Sequence, residues 1–162
     1  MNKIICQRCI MDTTAPNIFF DGEGICNYCK THDALDKSFP INGKHIKIIN
    51  KIKQKGQNNK YDCVIGLSGG RDSTYILYLV KKFGLRPLAV HFNNGFGNPV
   101  AGKNIQKAIK VSGIDLRTIT SDWRESKDIK ISHLKASVPD LEIGTDLGIA
   151  AALYSVSTKE NI

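Results

Sequence analysis

Short apolar runs alternate with segments of helical period from Tyr61 onward. Val64-Ile65-Gly66-Leu67 reads as a buried strand, and Thr74 to Phe83 reads as a helix with Ile76, Leu77, Leu79 and Val80 clustered on one side. Gly84 ends that helix. Pro87 to Phe92 reads as a second strand, "NNGFGNP" as a loop, Val100 to Val111 as a second helix, and Leu116 to Ile119 as a third strand. The pattern loosens through "TSDWRESKDIKISHLKASVPDLEIGTD", and a last helix is expected from Gly148 to Thr158.

This alternation predicts an α/β fold, a doubly wound parallel sheet with helices on both faces. Ligands of such sheets bind outside the carboxyl ends of the strands, where the unusual residues of this region gather. Three strands make a small sheet, and no fourth follows the last helix. The sheet is therefore expected to be incomplete at its C-terminal end, with this chain the front part of a longer protein.

Three zones are expected: a cysteine-rich head (1–32), a basic connector (33–60) and the α/β region (61–162). The chain has 162 residues, 41% of them hydrophobic, enough for one ordinary core or for a small appendage plus one modest domain. The amino terminus lacks the long apolar stretch of a signal peptide, and no run approaches the length of a membrane span. A cytoplasmic protein without membrane insertion is expected.

The formal net charge is +8. The excess lies early, with six lysines between Lys44 and Lys60 interleaved with Ile46, Ile48, Ile49 and Ile52. Such a stripe either meets phosphates or forms the solvated face of a linker helix.

Four of the five cysteines follow the pattern Cys6-x2-Cys9-x16-Cys26-x2-Cys29. Each Cys-x2-Cys turn delivers two sulfurs from one tight loop, and four thiolates satisfy the tetrahedral preference of zinc. The filled ligand set points to a structural site in a zinc-ribbon-like head. An iron-sulfur cluster is the alternative occupant. "NIFFDGEGICNYC" reads as a hairpin turning at Asp21 to Gly24. His32 competes as a ligand only if a cysteine withdraws, and Cys63 reads as a small buried residue.

The first strand breaks at Ser68-Gly69-Gly70-Arg71-Asp72-Ser73 and restarts as a helix. Glycines at a strand-to-helix turn let an anion approach backbone N–H groups at the positive helix end. Ser68 and Ser73 add hydroxyls, Arg71 a positive charge, and Asp72 a ligand for Mg²⁺ or a helix cap. Neither G-x-x-x-x-G-K-[ST] nor G-x-G-x-x-G is present here.

The hexapeptide resembles the S-G-G-x-D-S signature of the PP-loop ATP pyrophosphatases, of the adenine nucleotide alpha hydrolase-like fold. With the double Cys-x-x-Cys head, "SGGRDSTY", "HFNNGFGN", "SDWRE" and "KASVPDLEIGTDLGI", the chain is similar to the N-acetyl sugar amidotransferases of bacterial surface-glycan biosynthesis. That resemblance implies conversion of an acetamido group on a nucleotide-linked sugar into an acetamidino group, with ATP, Mg²⁺ and structural Zn²⁺. It assigns Ser68, Gly69, Gly70, Arg71, Asp72 and Ser73 to pyrophosphate and Mg²⁺, with Arg71, Asp72 and Ser73 catalytic.

The same resemblance implies that His91, Phe92 and Asn93 meet adenosine, although Phe92 also suits the core. Asn94, Asp122, Trp123 and Asp146 are the sugar candidates. Trp123 suits stacking or packing, and Asp146 suits an N-cap of the last helix better. No glutaminase set can be assembled from the remaining histidines, so the resemblance implies a separate glutaminase subunit supplying ammonia. A transfer-RNA thiolation enzyme and a non-catalytic zinc-containing remnant are the competing readings. The 7% aromatic content argues against a nucleic-acid partner.

Overall fold

A computed structural model of the chain describes residues 3–40 and 43–162. The expected head and connector include residues 1, 2, 41 and 42, which lie outside the described residues. The chain divides into two compact units, Met1–His45 and Ile46–Ile162.

In the first unit the two cysteine turns face each other. Isolated antiparallel bridges join Ile5 to Asp12 and Phe20 to Cys26. Between Phe20 and Cys26 the chain reverses at Asp21, whose Oδ1 accepts from the N–H groups of Glu23 and Ile25, both at 2.9 Å. The turn is the one expected, but its ladder is a single bridge. Immediately afterwards the chain enters helix α1 (Asn27–Ser38). Cys6, Cys26 and Cys29 are buried and packed by Met11, Ile18, Phe20 and Ile25, so the cysteines are themselves the core.

Helix α2 (Lys44–Lys55) has no acidic residue in its first turn and buries none of its side chains. Strands β1 (Cys63–Gly66), β2 (Pro87–Asn93) and β3 (Leu116–Thr120) form one parallel sheet in the order β1-β2-β3. Ile65 lies opposite Ala89, and Ala89 opposite Leu116. Helices α3 (Arg71–Lys82) and α4 (Pro99–Ser112) cover one face, where Ile65, Leu67, Ala89, Leu77, Ile105 and Ile114 form a core.

The opposite face packs Leu88 and Val90 against Ala152 and Val156 of α6 (Ile143–Glu160), with Tyr61 at the margin. Adjacent strand residues point to opposite faces, so the continuous run from Leu88 to Val90 serves both cores. The doubly wound architecture is the one the alternation predicts. No helix among the described residues is long and apolar enough to cross a membrane.

The segment expected to be irregular after β3 contains helix α5 (Trp123–Lys135). This helix buries none of its residues, so its apolar positions carry little helical period. Helix α6 begins five residues before the expected Gly148, because Gly144 and Gly148 dilute the pattern of its first turns.

Candidate functional site

The first unit gathers four thiols. Cys6 Sγ lies 3.9 Å from Cys29 Sγ, Cys9 Sγ lies 3.7 Å from Cys26 Sγ, and all four are within 4.8 Å of one another. Four sulfurs each ~2.3 Å from one tetrahedral ion stand about 3.8 Å apart, so the set fits a single ion. Burial alone would raise the Cys6 thiol, but N–H groups of Arg8, Cys26 and Cys9 bring it down to about 6. Cys29, buried and surrounded by the other thiols, is pushed up to about 12. His32 stands outside the set, with Nδ1 3.2 Å from Asp36.

In the second unit, the carboxyl end of β1 runs through Leu67, whose N–H donates to Val90 O at 2.8 Å. The turn that follows is held by hydroxyls. Ser73 Oγ accepts from the Ser68 N–H at 3.2 Å, lies 3.1 Å from Ser68 Oγ, and donates to Gly70 O at 3.2 Å. Thr74 Oγ1 donates to the same carbonyl at 2.8 Å.

Gly69 has φ +79°, and a Cβ there would stand 2.2 Å from Ala101 O, so only glycine lets the turn pass the start of α4. Asn104 Nδ2 donates to Gly69 O at 3.1 Å and fixes the turn from α4. Gly70 is the N-cap of α3 and makes no side-chain cap bond. The first N–H groups of α3 thus meet no capping side chain, the arrangement that receives an anion. The Arg71 and Asp72 side chains are 97% and 96% exposed, at opposite ends of a 3.9 Å contact. Both project into solvent beside the turn.

His91 is half-buried near the end of β2, its Nδ1 3.0 Å from Leu67 O. Since a carbonyl only accepts, Nδ1 carries the proton, and the ring ties β2 to the residue preceding Ser68. Phe92 packs with the α6 core and abuts Gly148, in keeping with the core alternative for this ring. Asn93 Oδ1 accepts from the Gly95 N–H at 3.0 Å, and its carbonyl accepts from the Ser121 N–H.

Asn94, Trp123 and their neighbours form a second cluster beyond β2 and β3. Asn94 Nδ2 donates to Thr145 Oγ1 at 2.9 Å, which ties the loop to α6. The Trp123 ring is half exposed, 4.8 Å from Phe96 between centroids, and lies against Gly95. Lys130 Nζ stands 5.1 Å from the Phe96 centroid, 2.6 Å from Glu142 Oε1 and 3.2 Å from Leu141 O. That ion pair holds the Glu142 carboxyl below its usual range. A hollow of about 30 Å³ lined by Asn94, Phe92, Lys130 and Thr145 has room for one water.

Asp122 is the N-cap of α5, accepting from the N–H groups of Arg124 at 2.7 Å and Glu125 at 3.3 Å. Asp146 is not the cap of α6. That position is Glu142, and Asp146 lies exposed in the first helical turn. Cys63 is half-buried on β1, where burial first and Asp62 second push its thiol up to about 12.

Asn104, Lys130 and Thr145 hold the site from elements around it without having stood out in the sequence. Each is a single polar residue within a helical segment, and only the fold reveals what it faces.

No protein-family model matches the chain. An uncharacterized protein of Methanocaldococcus jannaschii is 30% identical over 123 residues, which is 74% of this chain and 44% of that protein. The ammonia-dependent NAD synthetase of Campylobacter jejuni superposes with a TM-score of 0.51 at 20% identity, covering 75% of this chain and 54% of that one. The NMN synthetase of Francisella tularensis gives 0.51 at 21% identity, covering 75% and 52%. The chain spans about half the length of these proteins. These likenesses show the fold alone, a doubly wound α/β parallel sheet shared with the two synthetases.

Proposed function

We propose that this chain is the nucleotide-handling part of an ATP-dependent amidotransferase that converts the acetamido group of a nucleotide-linked N-acetyl sugar into an acetamidino group. The observation that carries the ATP half of the reading is the Ser68–Ser73 turn at the uncapped start of α3. The quoted segments around Asn94, Trp123 and Asp146 support the sugar half through their resemblance. By this reading residues 1–32 form the zinc head, 33–60 the connector and 61–162 the ATP-binding domain of a cytoplasmic protein.

An amide carbonyl is a poor electrophile toward ammonia because its oxygen leaves badly. In the proposed reaction that oxygen attacks the α-phosphate of ATP and pyrophosphate departs. Ammonia then displaces AMP from the imidate carbon, leaving the amidine. Ser68, Gly69, Gly70 and Ser73 would hold the departing pyrophosphate with hydroxyl and backbone donors, stabilising its charge as it develops. Asp72 would hold Mg²⁺, and Arg71 would swing onto phosphate from its exposed position. His91 would fix the Leu67 carbonyl below the loop, while Phe92 and Asn93 border the adenosine site.

Asn94 and Trp123 would meet the sugar, with Asp122 and Asp146 contributing from the helix starts. The four cysteines would hold zinc as a closed ligand set that leaves no open position for a substrate. Ammonia would come from a separate glutaminase subunit.

The test is product analysis with the full-length protein that carries this chain, supplied with ATP, Mg²⁺, ammonium and a panel of nucleotide-linked N-acetyl sugars. Sugar-dependent release of AMP and pyrophosphate, lost in Ser73→Ala, is the expected result. Release of ADP and phosphate, or AMP formation indifferent to every sugar, would sink the reading.

A further inference from the structure

Helices α3 and α4 follow adjacent parallel strands over one face of the sheet, and between their outer surfaces lies a groove of about 900 Å³. Leu77, 2% exposed, and Ala108 form its floor. Tyr75, Tyr78 and Val111 form its walls and are 58%, 56% and 89% exposed. The two tyrosine rings lie 6.1 Å apart at 25°, presenting one continuous aromatic wall. Exposed apolar side chains gathered into one groove mark a place where something binds.

The charged side chains that line the groove are cations, with Asp72 beside Arg71 at one end, 3.9 Å away. Arg71, Lys81 and Lys107 line it, and no carboxylate does. Lys82 Nζ adds a further cation 5.9 Å from the Tyr78 ring centroid.

We propose that this groove docks an amphipathic helix of a protein partner, with an apolar stripe on the floor and carboxylates facing Arg71, Lys81 and Lys107. A cleft between two packed helices receives a third by the same ridge-and-groove geometry that packs helices generally. The α3 wall has 12 residues, about 18 Å, which matches three turns of a docked helix. Apolar anchors at i, i+4 and i+7 would meet the tyrosine wall and Val111, and flanking Glu or Asp would pair with the cationic rim.

A second copy of this chain suits the groove less well, because it would bring a like-charged rim and a protein of net charge +8. Nucleic acid also suits it less, since surfaces for RNA and DNA are polar and wet and this floor is apolar. The groove reaches the Gly69–Arg71 turn at one end, so an occupant there would touch the phosphate loop whichever reaction the loop serves.

The experiment uses the whole chain and fluorescein-labelled helix-forming peptides of about four turns. One carries a leucine stripe flanked by Glu, and its counterpart carries Lys at the same places. Fluorescence anisotropy at ~0.1 M salt is expected to show the Glu peptide binding at least about tenfold tighter than the Lys peptide. The double variant Lys81→Glu/Lys107→Glu should reverse that preference, and Tyr78→Ala/Val111→Ser should weaken the Glu peptide by about tenfold. Unchanged Trp123 emission verifies that these surface variants remain folded. Equal affinity for both peptides, binding by neither, or a preference that the charge reversal leaves intact overturns the proposal. So does displacement of the Glu peptide by single-stranded RNA, or self-association in sedimentation that Val111→Ser abolishes.

Discussion

Gly69 and Gly113 both have positive φ, +79° and +65°, but only Gly69 has a close neighbour. A methyl group at Gly113 meets nothing within 4 Å, so Gly113→Ala should cost only the left-handed backbone, about 1 kcal/mol. At Gly69 the same methyl would stand 2.2 Å from Ala101 O, and the start of α4 must move. Gly69→Ala is expected to cost a further ~1–3 kcal/mol and, under the proposed function, to abolish pyrophosphate binding, because the N–H groups of the turn move with it. Paired denaturant melts and a pyrophosphate titration check this. Equal costs at the two glycines would mean that the Ala101 contact has no energetic weight. The strand-to-helix turn at the glycine pair, Ser68 and Ser73 was readable because glycines and hydroxyl residues break an apolar strand and open a helix. Asn104 was not readable, since an asparagine within a helix gives no sign that it faces Gly69 O across the fold.

Among the elements, α5 shows what the apolar pattern conceals. A helix with no buried residue has no stripe to detect, yet its start was written in Asp122-Trp123-Arg124-Glu125, a cap followed three residues later by glutamate. Strands β1 and β2 were readable because short apolar runs serve both of their faces, whereas β3, exposed from Arg117 to Thr120, carries no such run and showed itself by its β-branched residues. The cap bonds of Asp122 also permit its two roles to be separated. Asn caps as well as Asp, so Asp122→Asn should leave stability nearly unchanged, whereas Asp122→Ala should lose about 1 kcal/mol. Thermal melts read the cap, and AMP release by the full-length protein reads the sugar role. Activity that survives Asp122→Asn while Asp122→Ala loses stability would assign this residue to α5 alone.

Taken whole, the molecule joins two units that owe their order to different forces. Ile46–Ile162 has two apolar cores around its sheet. Met1–His45 has three buried cysteines with a thin apolar cover, too little to offset the entropy of ordering so short a segment. The spacing of the cysteines announced the head in the sequence, whereas α1 behind it buries only Cys29 and left no periodic trace. Metal binding should therefore supply the folding free energy of the first unit. Chelation is expected to remove the helical signal of α1 while the emission of Trp123, the sole tryptophan and a residue of the second unit, stays constant. Acid should act in the same direction. The Cys6 thiol, ordinarily near 9.0, is held at about 6, so its thiolate is available above that pH and is lost below it. The Cys29 thiol, pushed up to about 12, keeps its proton at neutral pH until a metal displaces it. Metal affinity should rise with pH, and proton release should accompany zinc binding, both measurable by calorimetry in buffers of different ionisation enthalpy. A head that stays helical in chelator, or zinc binding without proton release, would show that the unit folds by some means other than its four thiolates.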